Sequence, residues 1–387
     1  MSKFGSLVKV SAVLAAMAGT ALLGVPLISA SAAVSAPRTW ALMPTPENDN
    51  AILNAVSCAS DTMCLAVGTT APNRGGSPIV YRGHGGRWSP VRVPDDARGS
   101  YLADIACPKA TYCVAVGGNP RGVAQAWSWN GARWSDQATY NAPSAAAAVL
   151  SGVECAATTS CEAVGVRFGP AYVPYPLAEH WNGRVWSDQP IKGAPSGWLN
   201  GVSCESNARC EAVGYSERPN GREATLAAGL SGSRWTIQTT PRLPSNGEGY
   251  DLTSASCYSD GCTTVGYSET GRVLSEMWNG RKWALNTRVG AGDPAGSMDA
   301  EWNAVQCRSA SRCTAVGAWD NGTRPFLTLA DTWNGKRWTM SKTPSPSPHG
   351  NELFGLSCAG AGSICTAVGG SQKVASKLHN ASLAMSN

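Results

Sequence analysis

Two sets of side chains in this sequence have types and spacings suited to chemistry. The first is the cysteines: fourteen of them, and all fall in one recurring string. "SCASDTMCLAVG" (57–68) returns as "ACPKATYCVAVG", "ECAATTSCEAVG", "SCESNARCEAVG", "SCYSDGCTTVG", "QCRSASRCTAVG" and "SCAGAGSICTAVG". The second set stands at fixed offsets from that string. The residue just ahead of a recurring leucine position is Ile52, Tyr101, Val149, Trp198, Asp251, Glu301 and Glu352, so three successive units place a carboxylate at one spot. Directly after the second cysteine's Val-Gly come Tyr215-Ser216-Glu217 in unit four and Tyr267-Ser268-Glu269 in unit five, with Trp319-Asp320 one position later in unit six.

The cysteine pairs read as staples. Structural zinc prefers two to four residues between ligands and a second pair or histidines nearby. Only His84, His180, His349 and His379 exist, none beside a pair, and a redox pair would hardly be built seven times. An even count at regular spacing in an exported chain reads as a disulfide framework. The expected bonds are Cys58–Cys64, Cys107–Cys113, Cys155–Cys161, Cys204–Cys210, Cys257–Cys262, Cys307–Cys313 and Cys358–Cys365, all within units. The fifth pair is one residue shorter and the seventh one longer, so those two turns must differ.

Export is read from the first forty residues. Lys3 and Lys9 precede an apolar run from about Val10 to Ile28, and Ala30-Ser31-Ala32 offers a small-residue cleavage site. Its alanine and glycine content favours a cleaved signal peptide over residues 1–32 rather than an anchor. No second apolar span follows. The protein is therefore expected to be secreted, with no membrane span once the signal is removed. The 31 Lys and Arg against 26 Asp and Glu give a net +5, and loss of Lys3 and Lys9 lowers it to +3. That charge is scattered, which argues against nucleic acid.

The elements that must carry these groups follow from the period. First cysteines fall at 58, 107, 155, 204, 257, 307 and 358, steps of about fifty residues, the range of propeller blades of four short strands. "LNAVSC" and "CLAVGT" pair as a hairpin across the cysteines, strands a and b. Strands c and d flank "WNGARW", "WNGRVW", "WNGRKW" and "WNGKRW", where Asn-Gly is a tight-turn signal. Small side chains on a and b and tryptophans on c and d suit blades that converge inside and diverge outside. Unit seven ends "NASLAMSN" without its second tryptophan, while "SAPRTWALMPTP" near the start matches a d strand. The chain's beginning should close the last blade, where a linear solenoid would need capping repeats. The expected fold is all-β: a seven-bladed β-propeller of four antiparallel strands per blade, one domain over 37–387, with "TPSPSPHG" (343–350) as an interblade loop.

The combined pattern VSC…C.AVG…WNG..W, covering residues 37–387, resembles secreted repeat proteins of actinobacteria with a seven-bladed propeller fold. It is more loosely similar to kelch-like and sialidase-like propellers, whose c–d turns also carry Gly followed by Trp. That resemblance implies fold and not activity. The arginine cluster and tyrosine–glutamate pair of sialidases have no match, and no cysteine is spare for the Cys–Tyr crosslink of kelch-type copper oxidases.

The d–a and b–c loops of a propeller open on one face, around the central channel. Trp198, Tyr215, Glu217, Tyr250, Asp251, Tyr267, Glu269, Glu301, Trp319 and Asp320 should gather there on blades four to six. Aromatic faces beside hydrogen-bond acceptors suit an amphipathic ligand such as a sugar. Trp302 occupies the leucine position and belongs to the core. The expected function is non-catalytic binding of an extracellular glycan or an exported protein by a monomer that needs no cofactor. The alternative is a secreted polysaccharide hydrolase or lyase, with Asp251 and Glu301 as the carboxyl pair. A third use of Asp251, Glu301 and Glu352 is to hold a hard cation such as Ca²⁺. Asn321-Gly322-Thr323 and Asn380-Ala381-Ser382 match glycosylation acceptors by coincidence in a bacterial-looking chain.

Overall fold

Each fifty-residue unit folds as one four-stranded antiparallel sheet, and seven such sheets form a ring. The computed structural model describes residues 39–387 except 47–49, 71–75, 94–98, 143–144, 244–247, 287–296, 324, 360–363 and 374–379; the expected signal peptide lies outside them. Strand a of blades one to seven is Ala51–Ser60, Tyr101–Lys109, Ala147–Ala157, Gly197–Ser206, Tyr250–Tyr258, Asp299–Ser309 and Asn351–Cys358. Strand b is Met63–Thr70, Tyr112–Gly118, Ser160–Phe168, Arg209–Glu217, Gly261–Ser268, Arg312–Asp320 and Cys365–Gln372. Strand c is Pro78–His84, Ala124–Trp129, Pro174–Trp181, Glu223–Ser231, Val273–Trp278, Leu327–Trp333 and Asn380–Ser386. Strand d is Arg87–Val91, Trp134–Gln137, Trp186–Asp188, Arg234–Gln238, Trp283–Leu285 and Trp338–Met340 in blades one to six. The seventh d strand is Ala41–Leu42, which pairs with Ser386 and Met385 and so closes the ring.

The repeated string now has a physical explanation. All seven cysteine pairs are bonded within their blades, and no cysteine is free. One residue after the leucine position, strand a bulges in every blade: Asn54, Ala103, Ser151, Asn200, Thr253, Asn303 and Phe354 are the extra residues. A bulge re-aims its side chain, and here it aims at the next blade. Asn54, Asn200 and Asn303 donate to the backbone carbonyls of Leu102, Leu252 and Leu353. The bulge is also why strand b carries its glycine. A Cβ on Gly68, Gly165 or Gly214 would stand 2.0 Å from the carbonyl oxygen ahead of the leucine. The serine before the first cysteine has a comparable task. Ser57, Ser203, Ser256 and Ser357 accept the backbone N–H of the next blade's cysteine at 2.8–2.9 Å.

The core is distributed, as a repeat requires. Seven apolar clusters each bridge one pair of neighbouring blades, including Leu53 and Val56 of blade one with Val368 and Ala384 of blade seven. The d-strand tryptophans Trp40, Trp88, Trp134, Trp186, Trp235, Trp283 and Trp338 are all buried in these outer gaps. Several are hydrogen-bonded across the gap: Trp186, Trp235 and Trp283 donate to Gln137, Gln189 and Gln238 of the preceding blade. The tight-turn expectation needs one amendment. Trp129 pairs directly with Trp134, so Asn130–Arg133 is a four-residue loop. Asn130 Oδ1 closes it by accepting the N–H groups of Ala132 and Arg133, and Gly131 takes a φ of +93°.

Candidate functional site at the channel mouth

The carboxylate row sits where strand a emerges from the d–a loops. Asp251 and Glu352 are each gripped by the bulge amide of the preceding blade. Asn200 Nδ2 donates to Asp251 Oδ1 at 2.8 Å, and Asn303 Nδ2 to Glu352 Oε1 at 3.1 Å. Burial pushes Asp251 up to about 8, with the nearby Glu223 charge adding to it. Glu352 is pushed up to about 9, first by burial and then by a hydrogen bond and charge interaction with Glu301. Glu352 therefore holds its proton more tightly than a solvated carboxyl, because burial and a neighbouring carboxyl both oppose its ionisation.

Two tyrosines stand over these acids. Tyr215 pairs with Trp198 and Tyr267 with Asp251 across the a–b ladders of blades four and five. Burial raises the Tyr215 hydroxyl to about 12, and Glu223, Asp251 and Glu217 add to the shift. Tyr267 is raised further, by burial first and then by Asp251, Glu301, Glu223 and Glu352. Tyr267 is thus the tyrosine whose ionisation is opposed by the charges of four carboxyl groups.

The structure brings Tyr215, Asp251, Tyr267 and Glu301 together and adds Glu223 and Glu352. Glu352 extends the row into blade seven. Glu223 opens strand c opposite Glu217, at a position with no repeat signature to flag it. Trp198 forms a side wall, its indole N–H donated to Ser151 at 2.7 Å and its ring edge-on to Phe168. Tyr250 is buried, with its hydroxyl on Glu248. Glu217 and Glu269 lie on the exposed rim, held by Ser196 and by an ion pair with Arg222 at 3.0 Å. Trp319 packs against the cluster between blades five and six. Asp320 accepts the Gly322 N–H and faces a separate cup.

That cup, of about 420 Å³, lies one blade further round than the aromatic row. Ile52, Phe326 and Phe354 form its apolar side and Asp320, His349 and Glu352 its polar side. Phe354 replaces the polar residue or alanine that other blades place at the bulge, a repeat break legible in the sequence. Among the described residues no group of three or more acidic, histidine or cysteine side chains is arranged to hold a metal ion. No helix among them is long and apolar enough to cross a membrane.

No protein-family model matches the chain, and no curated protein matches it in sequence. Solved structures with a similar fold include YCF48 bound to D1 peptide, at a TM-score of 0.55 and 12% identity, covering 90% of this chain and 95% of that one. YCF48 from Cyanidioschyzon merolae gives 0.53 and 13%, covering 90% and 98%. The WD40 β-propeller domain of Doa1 gives 0.54 and 10%, covering 90% and 97%. Likeness at this identity establishes the propeller fold.

Proposed function

We propose that this protein is an exported, non-catalytic binding propeller that takes an extracellular glycan on the face around its channel mouth. The observation that carries the reading is the convergence of Tyr215 and Tyr267 with Asp251, Glu301 and Glu352, beside a cup walled by Phe326 and Phe354. Aromatic faces take the apolar side of a sugar ring, and fixed carboxyl and amide groups take its hydroxyls. The seven disulfides fit an oxidising compartment. A second reading, an exported protein as ligand, draws on the similar fold of YCF48, which holds a peptide. Hydrolysis has weaker support. The carboxyl that Glu301 engages is Glu352 rather than Asp251, its expected catalytic partner, and Asp251 is instead held by the Asn200 amide.

The test is a binding screen of the mature protein against cell-wall and extracellular glycans, followed by calorimetry on variants. Tyr215→Ala and Glu301→Ala should each weaken any ligand found by roughly thirtyfold, the effect of losing an anchor of about 2 kcal/mol. Tyr101→Ala, across the ring, should bind as wild type. Unchanged binding by the first two with loss in the third would place the site elsewhere.

A further inference from the structure

Three departures from the repeat meet in one groove on the opposite face, between blades four and five. The groove has a volume of about 500 Å³. The first departure is Gly229. The strand-c residue paired with the position after the second cysteine is Arg82, Ser128, His180, Met277, Thr332 and Ser386 in the other blades, and glycine only in blade four. The second is the a–b turn of blade five, where Cys257 and Cys262 are five apart against six in blade six. The third is Trp278. Its counterparts Trp129, Trp181 and Trp333 are buried, but Trp278 is only partly covered and lines the groove. Trp333 is capped by the Ala310 carbonyl of its own turn, and blade five has one residue fewer there.

Glu211 lies opposite the glycine, at the groove floor. Blade three shows what the same position looks like when filled: Glu162 there meets His180 Nδ1 at 2.7 Å. In blade four only the tip of Gln238 enters the space, with its Nε2 3.2 Å from Glu211 Oε1. It stands 2.2 Å from where a Gly229 Cβ would be. Glu211 Oε2 is left with no hydrogen-bond partner. The wall beside this floor carries the Trp278 ring, Asn279 and Asp260. The one cation in the lining, Arg209, is already paired with Glu205.

We infer that this groove is a second binding site and that it takes a pyranose sugar, the ring lying on Trp278 and a hydroxyl donated to Glu211. An anion would meet Glu205, Glu211 and Asp260 with no free cation to offset them. A wholly apolar ligand would leave Glu211 Oε2 unanswered. A pyranose supplies one apolar face and several hydroxyl donors, which matches an aromatic wall over an acceptor floor. Burial raises Glu211 to about 7, with the Gln238 hydrogen bond opposing the shift, so the carboxyl receives a neutral donor without a counter-ion. The site is separate from the channel mouth and does not rest on the reading given to that face.

The experiment titrates the full-length mature protein with the methyl glycosides of glucose, galactose, mannose and N-acetylglucosamine, and with cadaverine as a cationic comparison. Saturation-transfer NMR and tryptophan fluorescence read the binding. The titrations are repeated on Glu301→Gln, which disables the channel-mouth face, and at least one glycoside should still bind that variant. Gly229→Ser, which copies blade two, and Trp278→Ala should each lower that affinity by about tenfold or more. Gly229→Ser guards against misfolding of the tryptophan variant, because only the ends of the Gln238 and Glu211 side chains have to move. The inference is overturned if no glycoside binds at millimolar concentration or if cadaverine alone binds. It is also overturned if binding survives Gly229→Ser and Trp278→Ala, or is lost in Glu301→Gln.

Discussion

Replacing Glu276 with glutamine should remove a specific part of this protein's sensitivity to alkali. Glu276 is fully buried on strand c of blade five, and neither carboxyl oxygen has a partner in normal hydrogen-bond geometry. Burial pushes its pKa from 4.5 up to about 8, and Thr225 offsets this only in part. A carboxyl raised in the folded state holds its proton there, while the unfolded chain releases it above its ordinary value. The native state therefore binds more protons between about pH 4.5 and 8, and stability is lost as pH rises through that window. A shift of this size corresponds to about 4 kcal/mol between pH 4 and pH 8. For a domain of about 350 residues that is roughly 5 °C in Tm. Glutamine keeps the shape and cannot ionise. Scanning calorimetry at constant ionic strength from pH 4 to 8 should show the wild-type Tm falling relative to Glu276→Gln by that amount. Glu162, Glu179 and Asp251 are raised in the same direction, so both proteins should still lose stability with pH. Parallel curves would refute the assignment, because they would mean Glu276 titrates alike in both states.

Three further outcomes are expected. Deleting residues through Thr45 removes buried Trp40 and the closing strand; it should lower Tm and cause aggregation by light scattering, while deletion through Ser35 should do neither. Gly214→Ala forces a Cβ to within 2.0 Å of the Trp198 carbonyl, and chemical denaturation should show a loss of about 3 kcal/mol or more. Gln189→Leu orphans the indole N–H of fully buried Trp235, and the same assay should show a loss of about 2 kcal/mol.

The blade count, the staples and the closing strand were legible because each follows from short-range pattern. Strand pairing across a turn involves neighbours in sequence, and a fifty-residue period repeats the evidence seven times. The bulge glycine and the serine before the cysteine were visible as repeated letters, yet their meaning needed the next blade. Ser57 answers Cys107, and Asn200 answers Asp251, fifty residues away.

The candidate sites divide the same way. Alignment placed Asp251, Glu301 and Glu352 in one row, but only the angle between adjacent blades puts Glu301 and Glu352 in contact while leaving Glu269 to pair with Arg222 on the rim. Glu223 has no repeat signature and declares itself only through what surrounds it, whereas Glu276 recurs as Glu179 and Asp331 two residues ahead of the strand-c tryptophan, and only the packing shows that all three are buried. The short fifth turn was readable as a missing residue. That Trp278 and Gly229 line one groove beside it depends on strands from two blades meeting, and tertiary packing alone decides that.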